Sequence, residues 1–328
     1  MGSVNEATVL TQLFSILDVS GYSAAPLTPD RLKKDRAAAE VSATAASALL
    51  RRFQLGLDVP SDELTAEGID ATLQALLKTL EQRWGSFVVS RAAPLASGEP
   101  SPFVLHSRWP PLADASSRYA HFGAESYRLA CFMADRAPRW SHARQVLDLG
   151  CSSGGLGFFL AASMPGAHIQ GLDPCTNALD MGRAAAEAQG LASRMEFLVG
   201  ELLDPRGGKI PREPPDLVVF NPPMVMAEPG FNAPHRDGGR LGMELPLRFI
   251  DFAIRNLAPG GCLYCLATNP LVGGRGLFFD ELKAMSVKIT DQQLLDPVFN
   301  QSVARKRGHD AAGVERIELW ALELKPRQ

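Results

Sequence analysis

The 328-residue chain predicts an α/β protein in two parts: a parallel sheet with crossover helices over 116–328, and a smaller, mainly helical unit over 1–115. Three observations carry this. Before the Pro-rich segment SRWPPLADASS, apolar residues recur at three-to-four spacing. After it, short apolar runs alternate with helical stretches. The first of those runs enters a helix through a glycine-rich turn.

In the first part, TQLFSILDVSGY, AASALLRRFQLGL and ATLQALLKTLEQRW, between Thr8 and about Trp84, show helical spacing. FVVSRAAPL and PFVLHSRWP then alternate around the turn-rich ASGEPS, as the strands of a hairpin do. Helices followed by a hairpin suggest a winged-helix-like module. With a net charge of -3 the molecule has no attractive field for nucleic acid, so recognition of substrate or a lid function is favoured.

In the second part, ESYRLACFMADRA reads as a leading helix. QVLDLG, HIQGLD, MEFLVG, DLVVFN and GGCLYCLAT read as five strands, and VKITDQQLLDP and ERIELWALELK as the last two. A composition of 46% hydrophobic and 21% charged residues suits a chain that buries a sizeable core. No apolar run approaches the ~20 residues that cross a bilayer, and no signal-peptide pattern opens the chain, which reads as cytoplasmic without a membrane partner. Met1, Gly2 and Ser3 begin like a myristoylation signal, but Glu6 stands where that signal has Ser or Thr. The five cysteines read as reduced thiols. Cys262 and Cys265 share a strand on which i and i+3 face opposite sides, so no metal or redox pair is expected.

The strand ending in Asp148 and Gly150 leads through Cys151, Ser152 and Gly154 into the helix FFLAASM. Glycine lets a ligand approach the backbone, and a helix N-terminus offers unpaired N–H groups to an anion. Alone, such a turn also fits a dinucleotide site or tight packing. Downstream, Asp173 and Pro174 end the second strand, Glu201 and Leu202 follow the third, and Asn221, Pro222, Pro223 and Met224 end the fourth. All sit at the strand ends where open α/β sheets bind ligands.

With these motifs the segment from Ser116 to about Lys325 resembles the class I S-adenosyl-L-methionine (SAM)-dependent methyltransferases, in the branch with an N-P-P-aromatic motif. Release-factor glutamine methyltransferases and several ribosomal RNA base N-methyltransferases belong to that branch. VLDLGCSSGG resembles its first motif, GLD its ribose-binding acid, GELLDP its adenine-side motif and DLVVFNPPM its catalytic motif. RDGGRLGMELPLRFIDFAIRNLAPGG resembles the stretch that follows, and LLRRFQLGLDVPSDEL the helical leader of related bacterial enzymes. The resemblance implies a Rossmann-like seven-stranded sheet and SAM as cofactor. It implies a cofactor site made of Asp148, Gly150, Cys151, Ser152, Gly154, Asp173, Pro174, Glu201, Leu202 and Asn221. The acceptor NH₂ is then held by the Asn221 carbonyl and a backbone carbonyl at Pro222, with Met224 as a wall.

Two positions depart from the family. Ser152 replaces a glycine and is expected to crowd or hydrogen-bond the methionine end of SAM. Met224 replaces an aromatic ring that stacks on a planar acceptor. Tyr119, His121, Phe122 and Ser126 are lid candidates, and His235 and Arg236 lie in a Gly-rich loop able to meet substrate. Ala304–Asp310 is a basic run that reads as a solvated face and a weak hint of nucleic acid.

The leading expectation is methyl transfer to a nitrogen of an amide, nucleobase or amine, the acceptor being a small molecule or part of a macromolecule. Ser152 and Met224 keep open a tailoring enzyme acting on a small metabolite, including transfer of SAM's aminocarboxypropyl arm. A non-catalytic SAM-fold module that binds RNA or protein is the third alternative; Asp148, Asp173 and Asn221 argue against it.

Overall fold

In the computed structural model, residues 5–41, 46–95, 97–108, 119–200, 213–225, 237–299 and 312–327 are described. The N-terminal part begins with α1 (Glu6–Val19), α2 (Pro29–Val41), α3 (Ser61–Ala66) and α4 (Ala71–Trp84). Asn5 caps α1 by accepting the Thr8 N–H, and Asp70 caps α4 by accepting that of Leu73. Each cap is worth about 1 kcal/mol. Burial counts for more: Leu10, Leu13 and Leu17 of α1 are fully covered, at about 1.5–3 kcal/mol apiece.

Two local features differ from the periodicity reading. The segment around Leu50–Gln54 winds as a π-helical turn, and α2 is a helix whose charge-rich sequence, PDRLKKDRAAAEV, carries no apolar stripe. The hairpin forms from β1 (Phe87–Arg91) and β2 (Phe103–Ser107), paired antiparallel from Phe87 opposite Ser107 to Arg91 opposite Phe103.

The second part follows the expected alternation. It runs through α5 (Ala124–Ala134), β3 (Gln145–Leu149), α6 (Gly155–Ser163), β4 (His168–Asp173), α7 (Thr176–Ala188) and β5 (Met195–Val199). Then come β6 (Leu217–Phe220), α8 (Glu244–Asn256), β7 (Cys262–Val272), β8 (Arg275–Gly276), α9 (Leu277–Ala284), β9 (Val287–Asp296) and β10 (Arg316–Pro326). The sheet order is β5-β4-β3-β6-β7-β10-β9, with β8 clipped to β7. Strands β3 to β7 run parallel, and β10 is antiparallel to both neighbours, which gives a Rossmann-like α/β sheet.

Alternation along the strands splits the core between the two faces. Leu217 and Val219 of β6, with Cys262, Tyr264 and Leu266 of β7, join the cluster that also holds α1, α4, α5, α6, α7 and the hairpin. Val218, Phe220, Leu263, Cys265 and Ala267 face the cluster under α8 and α9. Cys262 and Cys265 thus lie on opposite faces, as the spacing predicts. The N-terminal elements pack into the same cluster as one face of the sheet, α1 lying against α7. Among the described residues no helix is long and apolar enough to cross a membrane.

Candidate active site

From β3 the chain crosses to β4 on one side, and from β6 to β7 on the other, so the connections part between the adjacent carboxyl ends of β3 and β6. A crevice opens at such a switch point. Asp148, Gly150, Asp173 and Asn221 are all delivered to that end of the sheet.

Asp148 is buried on β3, and its Oδ2 accepts the Gly157 N–H at 2.9 Å, capping the first turn of α6. Burial pushes its carboxyl up to about 7, opposed by the Gly157 bond and assisted by the charge of Asp173. Asp173 ends β4 and is 9% exposed. Its Oδ1 accepts the Cys175 N–H and its Oδ2 the Ser152 N–H, both at 2.8 Å. Its pKa is also raised by burial, against those two bonds.

Ser152 has φ +53, a left-handed conformation unusual for a residue with a side chain. Its Oγ accepts the His121 N–H at 2.7 Å. The hydroxyl expected at the methionine end of SAM therefore fastens the segment before α5. That segment is held at a second place, where Ala120 and Ser107 exchange hydrogen bonds of 2.8 and 2.9 Å. Phe122 then packs against the start of α6, so close that a Cβ on Gly155 would stand 2.1 Å from its ring.

Asn221 follows β6. Its Nδ2 donates to the Ser126 Oγ at 2.7 Å, while its Oδ1 is buried without a hydrogen-bond partner among the described residues. The next residues turn away over a tightly fitted loop. Gly242 has φ +76, and a Cβ there would sit 2.2 Å from the Met224 carbonyl oxygen. The glycine-rich stretch after the NPPM motif is thus required by the close approach of two backbones.

A cavity of about 170 Å³ opens beside Asn221, Pro222 and Met224. Tyr119, His121 and Phe122 form one wall, and Val88, Ser90 and His106 of the hairpin another. Leu32, Arg36 and Gln54 reach it from the helical unit, and Phe299 from beyond β9. Ser90 Oγ and His106 Nε2 are 2.8 Å apart, and burial, with His121 nearby, pushes the His106 imidazole down to about 3, so it is neutral.

Periodicity and motif reading had no means to find Gln54, Ser90, His106 and Phe299, because each is an ordinary strand, turn or loop residue that only the fold brings to Asn221. Of the expected residues, Tyr119, His121, Phe122, Asn221, Pro222 and Met224 line the cavity. Ser126 stands behind Asn221, while Asp148, Gly150, Cys151, Ser152, Gly154, Asp173 and Pro174 gather at the β3 and β4 ends. Glu201, Leu202, His235, Arg236 and the basic run 304–310 lie outside the described residues.

The donor set fits an adenosine-bearing sulfonium cofactor. Each Asp173 oxygen spends one lone pair on backbone and keeps another for a ribose hydroxyl. Gly150 is exposed, and a Cβ on it would meet only the Phe220 ring, at 3.8 Å, which leaves its backbone approachable. The orphaned Asn221 Oδ1 marks the far end of the site as a place for an N–H donor.

The model of the methyltransferase small domain matches residues 129–292, half of the chain. A release factor glutamine methyltransferase from Gloeobacter violaceus is 33% identical over 129 residues, 36% of this chain and 44% of that one. A tRNA1(Val) (adenine(37)-N6)-methyltransferase from Porphyromonas gingivalis is 28% identical over 166 residues, 49% of this chain and 64% of that one. A solved SAM-dependent methyltransferase from Geobacter sulfurreducens, in complex with S-adenosyl-L-homocysteine, aligns over 61% of this chain and 91% of that one, with 17% identity and a TM-score of 0.40. The chain spans less than half the length of the first release-factor relatives it matches.

Proposed function

This chain belongs to the methyltransferase small domain family, with SAM as its cofactor, and we propose that it methylates a nitrogen of an amide, nucleobase or amine acceptor. The observation that carries this is the buried Asn221 Oδ1, which has no partner among the described residues and stands at the NPPM motif beside a cavity. A buried carbonyl left unpaired costs about 1–3 kcal/mol. An acceptor N–H that bonds to it recovers this and fixes the direction of the nitrogen at the same time.

Asp173 would hold the ribose and Gly150 would let the cofactor approach β3, while Asp148 shapes the loop between them. The bound cofactor supplies an electrophilic methyl group on sulfonium. The work left to the protein is orientation: the Asn221 and Pro222 carbonyls hold the acceptor's N–H groups, so that the nitrogen lone pair points one way. Phe122, Met224 and Phe299 give apolar walls that exclude water. Residues 1–115 supply the outer wall of the cavity through Leu32, Arg36, Gln54 and the hairpin, which supports a role for this unit in selecting the acceptor.

The acceptors named for the relatives, a release-factor glutamine and a tRNA adenine N6, share an NH₂ on a planar carbon, and that group fits an oxygen acceptor at Asn221. The test is transfer of labelled methyl from SAM into the protein, RNA and metabolite fractions of a cell extract, with Asn221→Ala as control. Label on nitrogen that disappears in the variant is the expected result. Label that persists unchanged, or methylthioadenosine as the sole product, refutes the proposal.

A further inference from the structure

We infer that Gln54 is a specificity-determining residue, whose Oε1 accepts a hydrogen bond from an N–H or O–H of the acceptor molecule other than the nitrogen that is methylated. This rests on the reading of Asn221 and its cavity given above. A carboxamide has one donating end and one accepting end, and only hydrogen bonds tell them apart. At Gln54 the partner settles the matter. The Nε2 lies 3.0 Å from the Ala25 carbonyl oxygen, which can only accept, so the donating end is the one turned there. The Oε1 is left with no hydrogen-bond partner among the described residues, and it is not sealed from solvent. Gln54 lines the same cavity as Asn221.

An uncommon winding brings Gln54 to this wall. It closes the π-helical turn Leu50–Gln54, in which the Leu55 N–H reaches back to the Leu50 carbonyl at 3.0 Å. The Leu55 carbonyl accepts the Arg36 Nε–H at 2.6 Å, and Ala25 braces the Gln54 side chain, so backbone and amide are both held before any acceptor arrives. Preorganisation of this kind spares the ordering cost of binding. Two carboxamide oxygens, one from each part of the chain, thus serve one cavity. An NH₂ alone satisfies Asn221; a molecule with a further N–H or O–H satisfies Gln54 as well, which favours it roughly three- to tenfold.

The experiment uses a cell extract at a series of dilutions as the probe, with labelled SAM saturating. It reads the extract concentration at half-maximal labelling of nitrogen, the plateau rate and the SAM Kd. Gln54→Met removes both ends of the amide at nearly the same length, whereas Gln54→Glu keeps accepting oxygens and loses the donor to Ala25. Gln54→Met should raise the half-maximal concentration at least about fivefold, with a plateau within about threefold and a SAM Kd within about twofold of the parent. Gln54→Glu should raise it less than about twofold. A rise as large in Gln54→Glu as in Gln54→Met would reduce Gln54 to a brace for Ala25, and no rise in either would show that the acceptor does not use it; both results overturn the proposal. If Gln54→Met does not bind SAM, Gln54→Leu takes its place under the same criteria, and loss of SAM binding in both makes the role structural and overturns the proposal. Nitrogen labelling that persists unchanged in Asn221→Ala overturns the underlying reading instead, whatever the Gln54 variants do.

Discussion

The Ser152 hydroxyl accepts the His121 backbone N–H at 2.7 Å and so ties the loop after β3 to the segment that walls the cavity beside Asn221. The same serine holds φ +53, which costs a residue with a Cβ about 1–2 kcal/mol. One hydrogen bond of about 1 kcal/mol partly offsets that cost.

Ser152→Gly loses the bond and the strain together, so stability by denaturant titration should stay within about 0.5 kcal/mol of the parent. Ser152→Ala loses the bond and keeps the strain, and should be destabilised by about 1 kcal/mol. Amide exchange at His121 should accelerate in both. Alanine tolerated better than glycine would contradict the link.

Asp148 predicts a pH dependence. Its folded pKa is raised to about 7 by burial, so the native state prefers the protonated form. The stability from this group is therefore complete below the ordinary carboxylate range and is lost as pH rises toward and through about 7. Asp148→Asn keeps an acceptor for the Gly157 N–H and removes the titration. Its stability should be flatter than the parent's between about pH 4 and 8, as denaturant titrations at a series of pH values would show. An equally steep profile in the variant would assign the dependence elsewhere.

Asp173→Ala should weaken SAM binding by at least about tenfold in calorimetry, through loss of the ribose acceptor. Two backbone N–H groups, of Ser152 and Cys175, lose their partner as well, which adds a stability loss of about 2 kcal/mol. Unchanged affinity in a folded variant would remove Asp173 from the cofactor site.

Gly155→Ala puts a methyl 2.1 Å from the Phe122 ring. Overpacking of this kind costs about 1–3 kcal/mol. The ring must move, so the variant should lose that much stability and expose 119–123 to faster hydrogen exchange. A parent-like exchange pattern would show that Phe122 does not rest on α6.

Much of the sheet was legible because its strands are short apolar runs with acids or asparagine at their carboxyl ends: QVLDLG, HIQGLD and DLVVFN became β3, β4 and β6, and Asp148, Asp173 and Asn221 arrived at one edge. Local signals failed where long-range contact decides. Ser152 reads from sequence as an intrusion on the cofactor, and only the return of residues 119–123 over the loop reveals His121 as its partner. α2 carries no apolar stripe, and the π-helical turn at Leu50–Gln54 follows from no periodicity. The aromatic ring missing at Met224 reads as a loss, yet Phe122 and Phe299 stand in the same cavity, brought there from distant parts of the chain.

The central claim is that Asn221 serves the orientation of the acceptor nitrogen far more than the binding of the cofactor. The most direct measurement sets kcat for methyl transfer against the SAM Kd in Asn221→Ala. A fall in kcat of about a hundredfold or more, with a Kd within about twofold of the parent, is the predicted result. An unchanged kcat, or a loss explained wholly by weaker SAM binding, would contradict it.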